Sequence, residues 1–117
     1  MPKKELTEFN REELIFTLTR SPDGHSDPVI FDLTPAEKIV FYRRLQYGEI
    51  DILNLVDNPD EFVVLTADEG TLKLIPSATY WAAGIYFVRI GVTVGGKEYI
   101  FPSTQGEVWQ FNISGSL

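Results

Sequence analysis

The 117-residue chain contains no cysteine. That excludes disulfide staples, thiolate metal sites and cysteine nucleophiles, and leaves the fold to stand on packing alone, as suits a reducing compartment. Histidine is nearly absent too: His25 is the only one, so a serine triad or a zinc site has a single imidazole to draw on. No apolar run approaches the roughly 18 residues of a spanning helix. The stretch Met1 to Glu13 is polar and charged, without the apolar centre of a secretion signal, so synthesis in a cytoplasm is expected. On the same ground the acceptor pattern Asn112-Ile113-Ser114 is not read as a glycosylation site. Basic residues are few, 10 against 17 acidic ones, for a net charge of −7. An acidic surface favours solubility and repels phosphate, so neither nucleic acid nor an anionic membrane is an expected partner.

What is present is alternation. Apolar residues recur at every second position in short runs separated by turn residues, the pattern of sandwiches and barrels. The runs are Leu14 to Thr19, Val29 to Asp32, Lys38 to Leu45, Ile50 to Leu55, Phe62 to Thr66, Thr71 to Ile75, Ile85 to Val94, Lys97 to Phe101 and Glu107 to Ile113. Phe62 to Thr66 reads as buried on both faces. Ile85 to Val94 is the clearest, with Tyr86, Val88, Ile90, Val92 and Val94 in one inward row and Phe87, Arg89, Gly91 and Thr93 outward. Gly95-Gly96 reads as a two-residue primed turn, and Gly70 suits a positive φ closing Ala67 to Gly70. Thr34-Pro35 could start a helix, against the β-branched and aromatic run Ile39 to Tyr42 that favours a strand. Ser77 to Ala83 has room for one helical turn between sheets. The expectation is an all-β antiparallel β-sandwich of about seven to eight strands with one short helical turn. Residues 1–13 form an N-terminal arm, 14–113 the sandwich and 114–117 a flexible tail.

Chemistry-bearing clusters are sparse. His25 with Asp23 and Asp27 would be a metal site short of ligands. Asp57, Asp60, Glu61, Asp68 and Glu69 lack the spacing of a calcium loop, and nothing sets two carboxylates at a glycosidase separation. Gly91, Gly95 and Gly96 lack the lysine and helix of a phosphate loop. No catalytic residue, metal or cofactor is assigned, and no enzyme activity is expected. Tyr80 and Trp81 read either as a plug under the sandwich edge or as an interface anchor; they are also the only candidate platform for a sugar ring. Arg43 and Arg44 either cap acidic neighbours or dock a partner. With Lys3, Lys4 and Phe9 on the arm, these are the candidate partner-binding residues.

Three runs carry a resemblance: Gly70 to Leu74, Ala83 to Thr93, and Gly96 to Pro102, with Asp32-Leu33-Thr34 before the third strand and Trp109, Phe111 and Ile113 in the last. In this order they resemble the immunoglobulin-like domains of tailed-phage virion proteins, especially the N-terminal domain of the baseplate upper protein. The resemblance covers roughly residues 14 to 113. It implies an immunoglobulin-like sandwich and a virion structural role without catalytic residues. Family members usually continue into a stalk or receptor-binding region, and this sequence has a charged arm instead. The expectation is therefore an accessory protein in many symmetric copies, bound to capsid, neck or tail subunits as a decoration or cement component. A tail or baseplate component assisting host adhesion, or a carbohydrate-binding module, are the alternatives.

Overall fold

A computed structural model describes residues 3–7, 12–21, 27–48, 50–54, 60–76, 81–102 and 109–115. The strands are β1 (Lys3–Thr7), β2 (Leu14–Thr17), β3 (Thr19–Arg20), β4 (Val29–Ile30), β5 (Lys38–Leu45), β6 (Ile50–Asn54), β7 (Phe62–Thr66), β8 (Thr71–Leu74), β9 (Gly84–Val94), β10 (Lys97–Phe101) and β11 (Trp109–Ser114). A single 3-10 turn, Ala67–Glu69, is the one helical element among the described residues, none of which builds a helix long and apolar enough to cross a membrane.

Two sheets carry the fold. The larger runs β1-β11-β9-β5-β6, with β10 also on β9; the smaller runs β2-β8-β7. The order is that of an immunoglobulin-like sandwich, with β11-β9-β5-β6 facing β2-β8-β7. β1 lies parallel to β11, whereas every other pairing is antiparallel. β10 and β11 occupy the same edge of β9: Phe101 pairs with Ile90, and Trp109 pairs with Val88. They lie one after the other along the same side of β9, and β11 is flanked on its other side by β1.

Alternation explains the layering. Phe16 and Leu14 of β2, Phe62 of β7, and Leu72 and Leu74 of β8 point at Phe41, Val88, Ile90, Val92 and Phe111 of the larger sheet, and all are buried. Phe41 bridges the layers, its ring centroid 5.9 Å from Phe16 and 5.6 Å from Phe62. Burying each such side chain contributes roughly 1.5–3 kcal/mol, so this row holds the sheets together.

Four sequence expectations change. Part of the arm is sheet: Lys3–Thr7 forms β1, and Leu6 enters the core. β7 is not buried on both faces. It is the outer strand of its sheet, so only Phe62 is buried and Leu65 is exposed. The first run splits: Leu18 leaves the β2 ladder to hydrogen-bond Gly70 and Phe31, and β3 then pairs with β4. Thr34 does not open a helix; its N–H donates to Asp32 Oδ1 at 2.8 Å, a side-chain turn that leads straight into β5. Hydrogen bonding from the Thr34 side chain, and then from this N–H, lowers the Asp32 carboxyl pKa. The expected helical turn at 77–83 lies largely outside the described residues.

Candidate protein-binding face

The larger sheet has an outer face, turned away from the smaller sheet, on which Arg44, Ile50, Ile52 and Arg89 are exposed. Partner residues across an antiparallel ladder share a face, which assigns its side chains. One row runs Ile50, Arg44, Phe87; the next runs Ile52, Tyr42, Arg89; the third joins Val40, Gly91 and Ile100. They enclose a groove of about 400 Å³ across four strands, lined by Tyr42, Arg43, Arg44, Ile50, Phe87, Arg89 and Ile100. Ile50 is 61% and Ile52 54% exposed. Scattered exposed aliphatics are ordinary, but contiguous ones beside an aromatic and arginines have the make-up of an interface.

Gly91 shapes the groove by having no side chain. A Cβ there would meet Glu98 Oε2 at 2.5 Å and Tyr42 Cε2 at 2.9 Å. Tyr42 donates its hydroxyl proton to Glu98 Oε2 at 2.7 Å. Partial burial, then that hydrogen bond, then the Glu98 charge push the Tyr42 phenol up to about 12. The tyrosine is thus a fixed neutral wall.

The arginines divide by face. Arg43 pairs with Val88 and so turns toward the core, with its guanidinium 5.8 Å from the Trp81 ring centroid and 5.1 Å from that of Tyr86. It also bonds Asp51 of β6. Arg44 and Arg89 are exposed on the outer face, Arg44 lying 5.5 Å over the Phe87 ring. Among the described residues neither has a carboxylate partner.

A second hollow of about 530 Å³ lies between the β3–β4 pair and the β9–β10 hairpin, with Arg20, Val29, Ile30, Pro35, Lys97 and Tyr99 on its walls. Its cations rest on one ring: Arg20 is 4.7 Å and Lys97 5.0 Å from the Tyr99 centroid.

The candidate residues separate accordingly. Arg44 is on the groove. Arg43 caps an acid and covers aromatic rings, as one of its two sequence readings had it. Trp81 is corrected: it is completely buried, ring-stacked 5.1 Å from Phe111 and edge-on to Tyr86 at 5.2 Å, so it is the plug and offers no surface for a partner or a sugar. Lys4 pairs with Glu12 at 3.4 Å, and Lys3 lies on β1 opposite Gln110. Phe9, Tyr80, His25 and Asp23 lie outside the described residues. Among the described residues no three histidine or acidic side chains gather as a metal site would need. Sequence reasoning missed Tyr42, Ile50, Ile52, Phe87, Arg89 and Ile100 as a group. The available signal was Phe87, a large aromatic in a row assigned to solvent. No protein-family model matches the chain, and no curated protein matches it.

Proposed function

We propose that this chain is a structural protein of a tailed-bacteriophage virion that binds other virion subunits, as a decoration or cement component at the capsid surface or head-tail junction. The observation that carries the binding part is the outer face: an apolar groove beside exposed isoleucines, rimmed by two arginines that have no acid partner among the described residues, on a chain of net charge −7. Such composition marks protein contact. The virion part is supported by the sequence resemblance. In this reading the chain acts by adhesion. The sandwich is a rigid body, and many symmetric copies convert weak contacts into firm attachment.

Mass spectrometry of purified particles from a phage encoding the chain tests it. The reading requires the polypeptide in fixed proportion to a major structural subunit. Its absence from intact particles contradicts the proposal.

A further inference from the structure

We propose that the groove on the outer face docks an extended segment of a partner protein that carries carboxylates beside aliphatic or aromatic side chains. The inference rests on the protein-binding reading above and names the chemistry of the partner.

Charge complementarity carries it. Two of the chain's 10 basic side chains, Arg44 and Arg89, turn onto this groove, whereas Arg43 between them in the lining turns its guanidinium to the other face. A carboxylate partner separates the three. Arg43 has one, Asp51. Arg44 and Arg89 are exposed and have none among the described residues. Arg44 and Phe87 share one row, and Arg89 and Tyr42 the next. Each arginine thus stands beside an aromatic side chain. A guanidinium offers a planar fork that fits a carboxylate with two parallel hydrogen bonds, even while it covers a ring.

The floor sets the rest. Ile50, Phe87 and Ile100 give the groove apolar walls at both ends and in the middle. Tyr42 is held neutral with its hydroxyl committed to Glu98. An occupant that only supplied charge would leave these walls wet; an occupant that was only apolar would bury Arg44 and Arg89 without partners, at a cost. A side chain of each kind satisfies both. Two copies docked face to face would oppose the same arginines, which argues against a second copy as the occupant.

Two synthetic peptides of identical aliphatic and phenylalanine content, one with aspartate at alternate positions and one with lysine there, are titrated into the ¹⁵N-labelled full chain. The acidic peptide is expected to shift the amides of residues 42–44, 50–52 and 87–89 saturably, and the basic peptide is not. The charge reversals Arg44→Glu and Arg89→Glu sit on exposed positions. Each should weaken the acidic peptide roughly tenfold or more, and the double variant should acquire binding of the basic one. The neutral variants Arg44→Gln and Arg89→Gln lose the acidic peptide without gaining the other.

Equal binding of both peptides overturns the inference, as do shifts centred on Arg20 and Lys97, or no saturable shift at millimolar acidic peptide. Dimers that form through this face in sedimentation and dissociate on Arg89→Glu overturn it in favour of a second copy. A particle that carries the chain while the acidic peptide does not bind removes this inference alone. Absence of the chain from particles removes the virion reading alone.

Discussion

Arg43 occupies a position where the strand pattern calls for an aliphatic side chain, between Phe41 and Leu45 on β5. It fits because its stem and guanidinium lie over Trp81 and Tyr86 while Asp51 takes its charge. Asp51 is more than half exposed, so the ion pair itself is worth little and the packing is worth more. Arg43→Ala should cost about 1–2 kcal/mol in urea unfolding, and Asp51→Asn below about 0.5 kcal/mol. Equal losses would place the contribution in the ion pair instead. Tyr42 gives a pH signature. Its phenol is raised from 10.0 to about 12 in the fold, so folding favours the protonated form. That contribution is complete below the unfolded value and is lost as pH rises through the folded one. Ultraviolet titration of the five tyrosines should show one ionising late, and Tyr42→Phe or Glu98→Gln should remove or advance that component. The sequence offered acid capping as one of two readings for Arg43 but gave no sign of the Tyr42 role, because the register decides which cross-strand neighbours each residue meets.

Strands were the most legible elements, since a period of two needs no tertiary information. β5 falls at its expected bounds, and β9 begins one residue early. Both glycine turns appear where their chemistry demands: Gly95 and Gly96 have φ of 60° and 79°, and Gly70 has φ of 65°. Edge or centre was not legible, because neighbours set it; β7 is apolar enough for a centre and sits at an edge. The plug was half legible: Trp81 lies outside any alternating row, so the sequence left it between core and surface. The two turns provide an internal comparison. A Cβ on Gly70 would meet Phe31 O at 2.6 Å and Leu18 O at 3.0 Å, whereas one on Gly95 meets nothing within 4 Å. Both alanine substitutions carry the left-handed backbone cost of about 1–2 kcal/mol. Gly70→Ala should therefore destabilise by at least about 1 kcal/mol more than Gly95→Ala in thermal or urea unfolding, since the Phe31 and Leu18 carbonyls must move aside, and Leu18 O accepts the Phe31 N–H.

At the scale of the molecule, the proposed function assigns packing and partner binding to different faces of the sandwich. The inward rows of both sheets close a core with bridging phenylalanines. The outer face of the larger sheet gathers arginines and exposed isoleucines that folding does not consume. Sequence patterning identified the outward row of β9 but not the face, which exists only because β6, β5, β9 and β10 lie side by side. The arm and the Tyr80-Trp81 step stand outside the strand pattern of the sequence; the proposed binding face instead lies within it. Hydroxyl-radical footprinting of the chain, free and bound to the particle that carries it, tests this division most directly. Tyr42, Ile50, Ile52 and Phe87 should lose reactivity on binding, while Ile15 and Leu65, exposed on the smaller sheet, keep theirs. Protection of Ile15 and Leu65 with the outer-face residues unchanged would contradict the account.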